Sequence, residues 1–449
     1  MGQKIDRTYL FERMPVGQAV RRQIIPSIAS QMVILLYNLA DTYFVGLLND
    51  AAQTAAVSLA YSVTLLMTAL ANLFAVGGAG RIAQLLGRRD RDGAREGCAV
   101  SFWFALLASA AFCVLFTLLS SPILRLCGTT DETYALACGY SRWVISVGGT
   151  FSILNTVLAN LIRADGSAFA ASMGVSAGGI INMLLDPLFV LPRFLGMGAE
   201  GAGLATAISN AAGMLILLGI IAARRRVGVV ALRPGDLRAA RRHIGRILRI
   251  GLPSAVQFLL TLVAVGALTK FMSLYDTAAV AALGIVKKLD MLPLYFSIGV
   301  ANGLLPLLAY NYSAENHERR HRIFLCGCAV AVGFSVVCVA GYEVFAPALV
   351  RIFIGDAQTI AYGTKLLRIM VLAMPMMSVC YPMITQFQAM GRMRESLICS
   401  ILRKGSLDIP LLFVLNALFP LYGCAAVQPI VDCICMIVAI YFYKKLPTA

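Results

Sequence analysis

Asp41 stands in the middle of an apolar run, LLYNLADTYFVG, and is the single charged residue between Ile24 and Leu48. A carboxylate at the centre of a segment long enough to cross a bilayer costs about 2.5–3.5 kcal/mol on insertion. A residue that costly is rarely kept for packing. A second carboxylate, Asp186, lies in GGIINMLLDPLFV, four residues after Asn182, so both side chains leave one face of a helix. Pro187 follows it, and a proline inside a helix removes an N–H and frees a carbonyl one turn back. Oxygen-bearing side chains recur on the neighbouring apolar runs: Tyr37 and Asn38 beside Asp41, Asn155 and Asn160 in ILNTVLANLIRADG, and Thr206 in GAGLATAISN. Two carboxylates with amide and hydroxyl oxygens form a set of hard ligands. Such a set holds a proton, because two close carboxylates push one of the pair toward protonation. It serves a small monovalent cation equally well. Packing hydrogen bonds between helices are the rival role, worth about 0.6 kcal/mol each.

The second half of the chain carries a different inventory. Gln257, Lys287, Lys288 and Asp290 (in GIVKKLDMLP), Asp408 (after RKG) and Asp432 all fall in apolar runs. Adjacent lysines cannot face one direction. One is expected to pair with a carboxylate and the other, Lys288, to face a cavity, with Gln257, Asp290 and Asp408 as further cavity residues.

The elements that must position these groups are membrane helices. The 449 residues are 59% hydrophobic and 13% charged, with mean hydropathy +0.80; a soluble domain is about 25% charged. Apolar runs of about 20 residues predict twelve spans, at about 24–47, 55–80, 98–118, 137–162, 170–192, 201–223, 251–274, 278–304, 324–346, 364–387, 396–419 and 423–443. The fold class is therefore an all-α membrane protein. The N-terminal segment is polar and basic and lacks the apolar core of a cleavable signal; Gly2 is followed by Asp6 where a myristoylation signal needs Ser or Thr.

The net charge of +16 points to orientation, not to nucleic acid. With a cytoplasmic N-terminus, twelve spans return the C-terminus to the same side, and 29 of the 38 Lys and Arg residues then fall on inner segments. This is the positive-inside pattern, with anionic membrane lipid as the counterpart of the basic loops. The twelve cysteines are scattered without paired CxxC spacing, which gives neither a zinc site nor a disulfide framework. No GxxxxGK[ST] phosphate loop occurs, so ATP is not the direct energy source. The three histidines, His243, His317 and His321, are expected in loops, away from any intramembrane catalytic constellation, so an enzyme is not expected.

The chain is a duplication. DPLFVL from Asp186 matches DIPLLFVL from Asp408, and twenty residues further on Thr206 (GAGLATAISN) faces Gln428 (GCAAVQPIVD), both at an offset of 222. RQIIPS before the first span matches RIGLPS before the seventh, with Pro26 and Pro253 near the inner end. Six spans per half make the repeats parallel, related by a pseudo-two-fold axis along the membrane normal. The expected division is an N-lobe over 1–223, a polar linker over 224–250 and a C-lobe over 251–449. Two such lobes around a cleft are a transporter architecture.

PSIASQM with LLYNLADTYFVG, AVSLAYSVTLLMTALANLFAVGGAGRIAQLLGRRD, NTVLANLIRADG, INMLLDPLFV and ALGIVKKLDMLPLYFSIGVANGLLPLLAYNYSAENHERR, in this order, resemble the multidrug and toxic compound extrusion (MATE) transporters along essentially the whole chain. The resemblance implies a twelve-helix antiporter of the plasma (inner) membrane with both termini cytoplasmic. It implies alternating access and export of organic, cationic or amphipathic molecules in exchange for H+ or Na+. No cofactor other than that ion is implied. The family's cation site falls on Asp41, Asn182, Asp186 and Thr206, with Tyr37, Asn38 and Asn155 as hydrogen-bonding neighbours and the Pro26 region as a hinge. Some members carry a glutamate in the seventh span. Here PSAVQFLLTLVAV offers only Gln257, which leaves coupling to the N-lobe carboxylates, while the lysines of the eighth span favour anionic or zwitterionic groups. A lipid-linked precursor flippase of related two-lobed fold is the alternative, and a monomer suffices for either.

Overall fold

The computed structural model describes residues 7–48, 50–126 and 129–445; Gly2 and Asp6, on which the lipidation reading rests, lie outside them. Among the described residues the secondary structure is helical throughout. Nine helices are apolar and long enough to cross a bilayer: α1 (Val16–Gly46), α2 (Ala51–Gly87), α3 (Arg91–Leu126, kinked at Leu119), α6 (Ala168–Val190), α7 (Gly198–Arg224), α8 (Ala240–Met272), α9 (Thr277–Ser313), α10 (His317–Arg351) and α15 (Tyr422–Lys444). Two further spans are bent pairs. α4 (Asp131–Ser141) and α5 (Gly149–Ala164) meet at 46° across a π-helical turn, and α11 (Ala357–Val371) and α12 (Ala373–Ala389) meet at 41°. The twelfth, α13 (Met393–Ile401) with α14 (Asp408–Leu418), is broken by a π-helical turn over Leu402–Ser406. These are the twelve spans and two six-helix lobes expected from the sequence.

Asp50 caps α2, Thr130 caps α4, Asp276 caps α9 and Asp356 caps α11 on the face opposite the basic loops, and Asn316 caps α10 on the basic side, each accepting a first-turn N–H. An oxygen or carboxylate there satisfies exposed donors and the positive end of the helix dipole.

The lobes meet through α1 on α9 and α2 on α8. Gly303 lies against the backbone of Gln23 and Ile24, and Gly251 against the Leu73 carbonyl, so neither position has room for a Cβ. Small residues let backbones approach in a membrane, where burial of apolar surface alone gives no drive between helices. These contacts fall in the halves of the four helices nearest the basic loops, so the lobes are closed at that end. Asp41 lies farther along α1, toward the opposite end.

Three expectations are corrected. The polar stretch 224–250 is helical from Ala240 onward, as the first turns of α8. His243, expected in a loop, is buried in those turns with its Nε2 3.0 Å from Glu96 Oε2. Arg403 and Lys404, counted among the inner-side charges although the predicted span 396–419 contains them, are at the break of that span, and Arg403 is 1% exposed.

Near the N-terminus, Arg7 pairs with Asp165 between α5 and α6, and the Val229 N–H donates to the same carboxylate at 3.2 Å. Burial raises this carboxyl above its usual range, against the opposing pull of the Arg7 guanidinium.

Candidate functional site

Four spans build the N-lobe cluster: α1, the bent pair α4 and α5, α6 and α7. α1 carries Tyr37, Asn38 and Asp41, and α6 is drawn against it at Gly179, where an added Cβ would meet Val33 Cγ1 at 2.6 Å and the Tyr37 ring at 3.1 Å. That close approach sets the next turns of α6, with Asn182 and Asp186, beside the polar part of α1. α7 in turn approaches α5 at Gly213, against the Asn155 amide. The bend between α4 and α5 lets one span present residues from both of its halves, Tyr140 from the first and Asn155 from the second.

Asp186 is fully buried. Its Oδ1 accepts from Asn182 Nδ2 at 3.3 Å, and the same amide nitrogen lies 3.3 Å from Thr206 Oγ1. Asn210 donates to the Thr206 carbonyl at 2.9 Å and accepts from Asn155 Nδ2 at 3.4 Å. Asp41 is hydrogen-bonded to the buried Tyr140. The structure thus joins Asn182, Asp186 and Thr206 directly, and Asn155 through Asn210. Asn38 is turned back onto the Ile34 carbonyl of its own helix at 2.9 Å, and Asn160 likewise onto Thr156.

What remains is a set of acceptors. Asp41 Oδ1, Asp186 Oδ2, Asn182 Oδ1 and Asn155 Oδ1 are all sealed from solvent and receive no hydrogen bond from the described residues. Buried polar atoms are nearly always paired, so each exception needs a reason. Asp41 acts on Asp186 by charge, and among the described residues neither carboxylate forms an ion pair with a Lys or Arg. Four buried oxygens short of donors, two of them on carboxylates without a counter-charge, suit one proton or one small cation. Their elements differ: one group comes from each of α1 and α5 and two from α6, so the set depends on how these helices pack.

The C-lobe residues are placed differently. Asp408 is buried at the start of α14 and lines a small cavity, 30 Å³, with Lys287, Lys404 and Gln428. Lys287, rather than Lys288, reaches that lining. Lys288 and Asp290 are half-buried on α9, and Gln257 is buried on α8. Beneath the cavity Arg403 Nε meets Asp432 Oδ1 at 2.8 Å with both side chains buried, and its guanidinium lies 4.4 Å from the Tyr381 ring centre.

Sequence reasoning passed over Tyr140, Asn210, Arg403 and Lys404. Asn210 had a signal: it follows Thr206 by four residues in the repeated decapeptide. Tyr140 had none, since a tyrosine in an apolar run carries no charge to mark it.

The MatE family model matches the chain twice, over residues 26–188 and 253–414. The multidrug export protein MepA of Staphylococcus aureus is 28% identical over 437 residues, covering 97% of this chain and 95% of that one. Among solved structures, the outward-facing conformation of a multidrug resistance MATE family transporter of the MOP superfamily superposes with a TM-score of 0.91 at 24% identity, over 99% and 98% of the two chains. A MATE transporter in complex with MaD3S superposes with a TM-score of 0.90 at 25% identity, over 98% of each chain.

Proposed function

The chain belongs to the MatE family of membrane transporters, and from that premise we propose that it exports small organic molecules in exchange for H+ or Na+. The observation that carries this reading is the N-lobe set of four sealed oxygens without donors. A proton or Na+ entering there would be held by the Asp41 and Asp186 carboxylates with the Asn182 and Asn155 amide oxygens, and Thr206 would orient the Asn182 amide. The multidrug activity of the MepA relative supports chemically varied substrates.

Coupling follows from linkage. An ion drives export only if it binds the two conformers unequally, and the substrate must hold the opposite preference. In the conformer closed at the basic end, the ion site has its hydrogen bonds formed across α5, α6 and α7, with α1 facing it. We place the basic end in the cytoplasm at the inner membrane, following the positive-inside pattern, so this conformer faces outward. α1 runs unbroken through Pro26 here; a proline one-third along the helix lacks one backbone bond and lowers the cost of bending there. Ion binding and release at Asp41 would then bias the shape of α1.

The test is efflux of a fluorescent lipophilic cation from proteoliposomes under an imposed pH gradient and, separately, a Na+ gradient. One gradient should drive the wild type, and Asp41→Asn should be silent under both. Normal driven efflux by Asp41→Asn would remove the N-lobe carboxylates from coupling.

A further inference from the structure

The offset of 222 residues that relates Asp186 to Asp408 and Thr206 to Gln428 extends to two more positions of the polar clusters. Asn182 corresponds to Lys404, and Asn210 to Asp432. The hydrogen bonds correspond as well. In the N-lobe Asn182 Nδ2 reaches Thr206 Oγ1 from one helix to another, at 3.3 Å. In the C-lobe Lys404 Nζ donates to Gln428 Oε1 across the same pair of spans, at 2.5 Å. The next pair is joined in both lobes but in opposite senses: Asn210 Nδ2 donates to the Thr206 backbone carbonyl, whereas Gln428 Nε2 donates to Asp432 Oδ2, each at 2.9 Å. Asn182 bonds the carboxylate four residues on; Lys404, at the same spacing from Asp408, acts on that carboxylate by charge. The first span of each half completes the match. With Pro26 aligned on Pro253, Asp41–Thr42 falls on Leu268–Thr269 and Tyr37 on Ala264, and both Leu268 and Ala264 line the C-lobe cavity.

The two clusters therefore share a scaffold and differ in where positive charge comes from. The N-lobe has two carboxylates and, among the described residues, no Lys or Arg ion-paired with either. The C-lobe has two carboxylates, Asp408 and Asp432, with Lys404 and Arg403 beside them. Asp408 is 7% exposed, its Oδ2 receives no hydrogen bond from the described residues, and it borders a cavity large enough for about one water.

We propose that the C-lobe cluster is a second monovalent-cation site, equivalent by internal symmetry to the N-lobe one, whose cation is the chain's own Lys404 ammonium, hydrogen-bonded to Gln428 and acting on Asp408 by charge. A tethered ammonium is a permanently present ion. The C-lobe then contributes no exchangeable site, and the stoichiometry of coupling is set by the N-lobe alone. Arg403 pairs with Asp432 in the layer beneath, and Lys287 lines the cavity beside Asp408, so each carboxylate of the cluster has a basic side chain of the chain nearby. The ligand class that fits in place of the ammonium is a small monovalent cation: methylammonium, ammonium or Na+. This rests on reading the N-lobe set as an ion site, but its test reads the C-lobe by itself.

The experiment uses purified full-length protein carrying Asp41→Asn, so that the N-lobe gives no ion response, and follows the thermal midpoint. Lys404→Ala in that background should lower the midpoint, and methylammonium up to about 100 mM should raise it saturably by roughly 2 °C. Tetramethylammonium, which has no N–H to donate to Gln428 or Asp408, should not. Lys404→Asn, which keeps an amide facing Gln428, should gain a rise with Na+ that choline does not reproduce and that Asp408→Asn abolishes. Monodisperse Lys404→Asn protein whose midpoint responds alike to Na+ and choline overturns the proposal, even if Lys404→Ala fails to fold. Failure of the N-lobe reading shows elsewhere, as driven efflux by Asp41→Asn with Lys404 intact.

Discussion

The N-lobe and C-lobe clusters are built by corresponding helices, yet one holds its carboxylates without a basic partner and the other sets Lys404 and Arg403 beside them. In the N-lobe, Asp41 Oδ1 and Asp186 Oδ2 receive no hydrogen bond from the described residues, and neither do the amide oxygens of Asn182 and Asn155. In the C-lobe, Leu268 takes the place of Asp41, and Lys404 that of Asn182. A carboxylate pair without a counter-charge is costly in a membrane; the same carboxylates beside lysine and arginine are a structural core. The difference separates a place where charge must arrive from outside from a place where it is covalently present. On the proposed reading, this asymmetry between repeats of one design would assign coupling to the N-lobe alone.

Substitutions can break this contrast in graded ways. The largest effect is expected in the C-lobe. Arg403→Ala leaves Asp432 buried and unpaired beneath the cavity, and should cost about 3–5 kcal/mol of stability, read as a fall in thermal midpoint and in folded yield. Replacing the pair together, with Arg403→Met and Asp432→Leu, should recover most of that loss. Asp186→Asn in the N-lobe should do the reverse. The variant should melt at or above the wild-type temperature, because a buried carboxylate without a counter-charge is removed, while gradient-driven efflux falls to background. Thr206→Val sharpens the picture at one bond. Loss of the hydroxyl that meets Asn182 should cost about 1 kcal/mol of ion binding, a roughly five-fold higher half-saturation for the driving ion with the fold intact.

The smallest effect lies outside both clusters, at Asp165. Its folded-state carboxyl is held above the ordinary value of 3.8 by burial. Its contribution to stability is thus fully present below that value and is lost as pH rises through the raised one. Between about pH 4 and about pH 7 the wild-type midpoint should therefore drop slightly relative to Asp165→Asn. An unchanged difference would mean that the Arg7 ion pair offsets burial completely.

Much of this was legible in the sequence, for identifiable reasons. Asp41 and Asp186 stood out because a lone charge in an apolar run has few tolerable explanations. Asn182 followed from its spacing, and the two-lobed plan from matched Asp, Pro and Gly residues at fixed offsets. Tyr140 did not, because only the bend between α4 and α5 brings it to Asp41. Arg403 and Lys404 were counted among the inner-side charges by the rule that orients basic segments. The π-helical turn that carries them inward has no marker in LRKGS beyond its glycine. Apolar patterning locates spans well and breaks within spans poorly, since a break changes backbone hydrogen bonding without changing composition.

The most direct measurement is the ion response of purified protein: thermal midpoints of wild type and Asp186→Asn, compared across Na+ concentrations at fixed ionic strength and across pH at fixed Na+. The expected result is a midpoint that rises with one ion in the wild type and is flat in Asp186→Asn. An Asp186→Asn midpoint that rises as steeply as the wild type would contradict the assignment of the ion site to the N-lobe.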